Sequence, residues 1–92
     1  FSGSPVKRIG RDRFVRNVLI AAGNSGEPAL VARCRELLSD GSPLVRGAAV
    51  WALSRLMQYG DLTELAREYR PREADPSVEE EWRAALAERV SA

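Results

Sequence analysis

LLSDGSPLVRGAAVWAL, residues 37–53, holds the end of one helix, a tight connection and most of a second helix. Leu37 and Leu38 close an apolar stripe that starts with Leu30, Val31 and Cys34, and Ser39-Asp40-Gly41 interrupts it. Ser42 is a favoured N-cap, because its hydroxyl accepts from an amide that the first turn leaves without a partner. Pro43 has its φ already fixed for the first helical position. Beyond it the 3.6-residue period puts Val45, Ala48, Ala49, Ala52, Leu53 and Leu56 on one side. Small residues at 48, 49 and 52 permit a neighbouring helix to approach closely. Gly60 is expected to close this helix.

Working outward, the pattern repeats. Pro43-x-Val45-Arg46-x-x-Ala49-x-x-Ala52-Leu53 returns thirty-three residues on as Pro76-x-Val78-Glu79-x-x-Trp82-x-x-Ala85-Leu86. Val15-Arg16-x-x-Leu19-x-x-Ala22 is a weaker copy upstream. Between the strong copies, Asp61 is expected to cap a short helix with Leu62, Leu65, Ala66 and Tyr69 on its apolar side. Arg70-Pro71-Arg72 breaks that helix, and Asp75-Pro76 starts the last one. Trp82 takes the place of Ala49 and is expected in the core. Nothing in the chain alternates with the period of a strand. The reading is all-α, about five helices with short connections.

The first helix carries the charge asymmetry. Residues 3–24 read GSPVKRIGRDRFVRNVLIAAGN. Helical phase groups Phe14, Val15, Val18, Leu19, Ala21 and Ala22 on one face, and Arg13, Arg16, Asn17, Ile20 and Asn24 on the other. Gly23 suits a left-handed position just past the helix end. Ile20, aliphatic within the polar stripe, is expected either under residues 5–9 or exposed where a missing part of a larger protein docks. Residues 1–10 are assigned to an irregular lead-in from an upstream domain, and residues 11–92 to the helical domain. The absence of an initial Met agrees with an excised or processed piece.

Ninety-two residues suit one small domain with a single core. No apolar run is long enough to cross a membrane. One cysteine and no histidine rule out, within this chain, an internal disulfide, a zinc site and histidine-based acid–base chemistry. Net charge is +1, yet residues 1–16 hold five cations against Asp12 alone. The basic end is the candidate for an anionic partner.

The repeat resembles the HEAT-like repeat, which implies antiparallel helix pairs stacked into a short right-handed solenoid. Glu79, standing where the pattern has Arg, suggests a terminal unit. Fold alone says little about function. GSPVKRIGRDRFVRN followed by VLIAAGNSG, however, resembles the segment joining the iron–sulfur region of epoxyqueuosine reductase to its C-terminal HEAT-like domain. That resemblance implies a cytoplasmic, tRNA-facing tail of an oxidoreductase. The family reduces epoxyqueuosine to queuosine at the tRNA wobble position, using cobalamin and two [4Fe–4S] clusters. Its cluster-binding cysteine runs and cobalamin-binding part have no counterpart here, so no cofactor and no catalytic residue are assigned to this chain. The implied partners are the tRNA anticodon arm and the upstream catalytic domain.

Lys7, Arg8, Arg11, Arg13, Arg16 and Asn17 are the candidate nucleic-acid-binding residues. Long cations reach phosphates, and an amide reads a ribose hydroxyl or base edge. The competing reading is a solvated basic surface partly paired to acidic side chains. Arg46 is better explained as a structural tie to backbone carbonyls or to Asp40, and Cys34 as a small core residue. Glu79, Glu80 and Glu81 diverge around a helical first turn and so do not form a carboxylate pair. Trp51 lies off the core stripe, as a stacking surface or a partly buried surface residue. The alternative function is a protein–protein adaptor of the helical-repeat kind.

Overall fold

Proline at position 5 opens the first helix, and the computed structural model describes residues 5–90, with side chains from 8 to 87. Helix α1 runs over Pro5–Ser25. Residues 5–10 are thus helical and not an irregular lead-in, since a proline with helical φ at the first position sacrifices only an amide that has no partner there anyway. The remaining helices are α2 (Val31–Glu36), α3 (Pro43–Leu56), α4 (Tyr59–Tyr69) and α5 (Pro76–Val90). Short 3₁₀ turns at Pro28–Leu30 and Leu37–Ser39 flank α2, and another at Arg70–Arg72 continues α4. No strand occurs among the described residues.

The ends are set by local chemistry, in two places differently from the sequence expectation. Gly26, at φ 69°, holds the left-handed position after α1. Ser25 donates to the Ala22 carbonyl at 2.6 Å and accepts from the Glu27 amide at 3.1 Å, which carries the helix past Gly23. Helix α4 starts at Tyr59, so Gly60 and Asp61 fall inside its first turn and not at a boundary. Asp61 supplies negative charge where the helix dipole favours it, without capping. Ser42 does cap α3, accepting from the Val45 amide at 3.4 Å.

Helices α1, α3 and α5 form one parallel row. Arg11 meets Asp40 just before α3, while Gly23 meets Trp51 and Ala52 near the far end of α3. In the same sense Arg46 meets Glu73 ahead of α5, and Gly47 meets Glu81. The shorter α2 and α4 form the second layer, and the whole measures 47 × 28 × 18 Å. The 18 Å dimension leaves room for two helix layers at an axis spacing of about 8–10 Å.

The core lies between these layers. Val45, Ala49, Val50, Ala52 and Leu53 of α3 are fully buried, and Leu19, Cys34, Leu62, Val78 and Trp82 close around them. Trp82 is 1% exposed, in line with its place in the repeat. The face expected on α1 divides. Leu19 is buried and Val15 and Ala22 partly so, whereas Phe14 and Val18 stand 68% and 50% exposed. An apolar span as wide as 14–22 exceeds what one row neighbour and one short α2 cover.

Arginine side chains clasp the connections. The Arg46 guanidinium donates twice to the Glu73 carboxylate, both at 2.9 Å, and once to the Asp40 backbone carbonyl at 2.9 Å. Its carboxylate partner is therefore Glu73 and not Asp40, which is taken by Arg11 at 2.7 and 3.0 Å and by the Ser42 amide at 2.9 Å. Arg70 pairs with Glu79. The guanidinium beside each acid holds Asp40, Glu73 and Glu79 below the usual carboxylate range.

Trp82→Ala should cost about 3–5 kcal/mol, because it empties an aromatic site between α5 and α3. A domain of this size has about 5–15 kcal/mol in all, so a parent-like melting curve would place Trp82 outside the core. The clasp gives a pH test. With folded values lowered, the unfolded chain binds more protons, so the stabilisation is complete above about pH 4.5 and is lost as pH falls through the lowered values. Glu73→Gln should lower stability at pH 7 by about 1.5–3 kcal/mol. Urea titrations of variant and parent should converge near pH 2, and an equal gap at both pH values would contradict the clasp.

Candidate nucleic-acid interface

Helix α1 is the edge of the parallel row, and its outward stripe carries two of the sequence-predicted cations and Asn17. Arg13, Arg16 and Asn17 are all exposed. Arg16 donates to the Asn17 side-chain oxygen at 3.4 Å, a weak contact that leaves most of its donors available. Arg8, also exposed, lies eight residues earlier, about 12 Å along the axis at 1.5 Å per residue. It borders a cleft with Arg11 and the 40–43 connection. Arg8, Arg13 and Arg16 pair with no carboxylate among the described residues.

Arg11 is different. It holds Asp40 with two donors and Asp12 with a third contact at 3.0 Å, so its charge is already neutralised. The structure thus brings Arg13, Arg16 and Asn17 together on one exposed side of α1, leaves Arg8 beside the 40–43 connection, and turns Arg11 into a clasp. Lys7 is in the helix, but its side chain lies outside the described residues.

Ile20 is neither beneath residues 5–9 nor fully exposed. It is half-buried and borders a cleft of about 360 Å³ across the outer face of α1, α3 and α5, with Arg16, Leu44, Ala48, Trp51 and Glu81. Trp51, half-buried, leans from α3 over the bare backbone of Gly23. A Cβ on Gly23 would sit 2.6 Å from the indole and 3.1 Å from the Ala52 Cα. Glycine is needed here for close approach, not for a left-handed turn. Arg55 places its guanidinium over the indole, 5.7 Å from the centroid. Sequence reading passed over Arg55, although its position four residues after Trp51 is the spacing at which helical side chains meet.

The three consecutive glutamates go separate ways. Glu79 binds Arg70, Glu80 accepts from Arg83 at 2.6 Å, and Glu81 lays its stem 3.5 Å from the Cβ position of Gly47. Burial, with Glu80 nearby, pushes the Glu81 carboxyl up. Cys34 is buried, and desolvation raises its thiol, so it is poorly suited to nucleophilic work. A four-cysteine iron–sulfur cluster does not fit a chain with one cysteine. No group of three or more His, Cys, Asp or Glu suited to a metal ion occurs among the described residues. No described helix is long and apolar enough to cross a membrane.

A parallel row of helices backed by shorter ones, with arginine clasps at the connections, defines a helical-repeat scaffold. The chain belongs to the HEAT repeat family, whose model matches residues 12–87. It is similar to an epoxyqueuosine reductase from Alicycliphilus denitrificans, 39% identical over 61 residues and covering 58% of this chain and 17% of the relative. It is likewise similar to an epoxyqueuosine reductase from Xanthomonas campestris pv. campestris, 37% identical over 54 residues and covering 58% of this chain and 15% of that protein. The chain therefore spans about one sixth of the length of these curated relatives. No solved structure gives a significant match.

Gly23→Val should force the indole off α1 and destabilise the fold by about 1–3 kcal/mol. The fluorescence of Trp51 should then shift to the red as the ring meets water. A variant with parent-like emission and stability would show the α1–α3 seam to be looser than its geometry.

Proposed function

We propose that this chain is a tRNA-contacting HEAT-repeat module of an epoxyqueuosine reductase-like protein, and that the outer edge of α1 meets the RNA backbone. The observation that carries this reading is the basic strip. Arg13 and Arg16 are exposed and free of carboxylates, beside Asn17, with a further unpaired cation, Arg8, nearer the start of α1, in a chain related to enzymes of that name. Guanidinium groups bind phosphate oxygens with two parallel donors, whatever the sequence. The module's task is then positioning, with the reduction itself, cobalamin and the two [4Fe–4S] clusters belonging to another part of the protein. A cytoplasmic setting follows from that role.

Three phosphate contacts predict that log K falls against log salt with a slope of about −2, taking about −0.7 per contact for single strands. Arg13→Glu together with Arg16→Glu should weaken tRNA binding at least tenfold and flatten that slope. Arg33→Glu with Arg67→Glu is the matched control, since both residues are exposed on the α2–α4 layer. Arg70 is unsuitable as a control because it holds Glu79. Filter-binding or anisotropy titrations with unmodified tRNA read both pairs. Equal losses in the two pairs, or none in either, would remove the α1 edge as the RNA site and favour a protein-binding adaptor.

A further inference from the structure

Beside the basic strip lies a cleft whose chemistry suits a base better than a phosphate. Its three helices each bring one distinct group. Arg16 comes from α1, the Trp51 indole from α3 and the Glu81 carboxylate from α5, over a small apolar floor at Gly47 and Ala48. The volume, about 360 Å³, is within the range of about 300–1,000 Å³ usual for small-ligand sites. Aromatic side chains next to cations are the composition that holds unpaired nucleotides, because every base has a π-face and a phosphate attached. The Arg55 guanidinium, 5.7 Å from the indole centroid, adds a second cation near the ring.

Glu81 makes the cleft selective. It takes part in no hydrogen bond or ion pair among the described residues, unlike Glu79 and Glu80 on either side. Its stem passes close to Gly47, 3.5 Å from where a Cβ would stand. An ionised carboxylate only accepts hydrogen bonds, with two oxygens side by side. Among the four RNA bases, guanine alone presents two adjacent donors on its Watson–Crick edge, the N1–H and the N2 amino group. Adenine and cytosine offer one amino group next to an acceptor that the carboxylate repels, and uracil offers one N–H between two carbonyls.

We infer that the Arg16–Trp51–Glu81 cleft is a binding site for an unpaired guanine nucleotide, the base stacked at Trp51, its Watson–Crick edge on Glu81 and its phosphate near Arg16. The inference rests on the RNA-binding role proposed above and gives it a base preference that the strip alone lacks.

The test uses uridine heptamers with a single central G, A, C or U, titrated into the protein while tryptophan emission is recorded. Trp82 is buried, so quenching reports Trp51. The G heptamer should bind at least fivefold more tightly than the other three and quench most strongly. Glu81→Gln should reduce the four heptamers to within twofold of one another, since the amide sets a donor against guanine. Trp51→Leu should abolish the quench and weaken the G heptamer most. Arg13→Glu with Arg16→Glu should weaken all four. Circular dichroism confirms that each variant is folded, and Trp51→Phe, which keeps a stacking ring, should retain the preference for G. Equal affinities in the parent, or a G preference that survives Glu81→Gln, overturns the guanine site. If tRNA binding then still responds to the Arg13/Arg16 pair, the phosphate strip stands alone. If neither tRNA nor any heptamer binds, both readings fall.

Discussion

Arg46 ties the connection before α3 to the one before α5, where Glu73 stands twenty-seven residues beyond Arg46 in the chain. One guanidinium joins the Asp40 carbonyl before α3 to the Glu73 carboxylate before α5, from a position 19% exposed against a carboxylate at 7%. Bidentate geometry fixes both direction and spacing, so α5 sits alongside α3 in one register only. Arg11 repeats the device one helix earlier, reaching Asp40 from α1. Hydrophobic burial supplies most of the driving force for stacking helices, but it is non-directional and would accept several sliding registers. The clasps select one of them. Everything described for the outer face, including the meeting of Arg16, Trp51 and Glu81, presupposes that register.

Bare backbone does the complementary work on the same face. Gly23 lets Trp51 lie across α1, while the Glu81 stem lies at ordinary van der Waals distance from Gly47 of α3. At Gly23 the missing side chain on one helix seats a large side chain from the next. This is why the row is tight without a large apolar contact on its outer surface.

Much of this was legible in the sequence, because repeats write their periodicity plainly. The 33-residue return from Pro43 to Pro76 located α3, α5 and the burial of Trp82. The caps at Ser42 and Asp75 marked the starts of both helices. Glycines were harder to read. Gly23 and Gly26 stand three residues apart near one helix end, and only the approach of Trp51 tells the packing glycine from the turning one. Periodicity also overstated the buried width of α1, since it reports which residues share a face and not how much of that face a neighbour covers. Of the site, the cations were legible as a cluster, but the withdrawal of Arg11 depends on Asp40, twenty-nine residues away. The assembly of Trp51, Arg55 and Glu81 is likewise a product of the helix row.

The order of the row has a consequence for how a polyanion would arrive. Residues 1–16 carry five cations against one acid, while α5 opens with three consecutive glutamates. Since α1 and α5 are the two outer members of the same row, the unpaired Arg13 and Arg16 make the α1 edge the more positive one, the α5 glutamates Glu79 and Glu80 being paired with Arg70 and Arg83. The resulting field acts beyond contact, over roughly the 8–10 Å of a Debye length at physiological salt. On the reading proposed above, it would favour approach of a nucleic acid along α1 before any hydrogen bond forms. The strand would therefore be oriented during approach, running along the length of α1 and dipping toward the centre of the domain only where a single nucleotide leaves its neighbours.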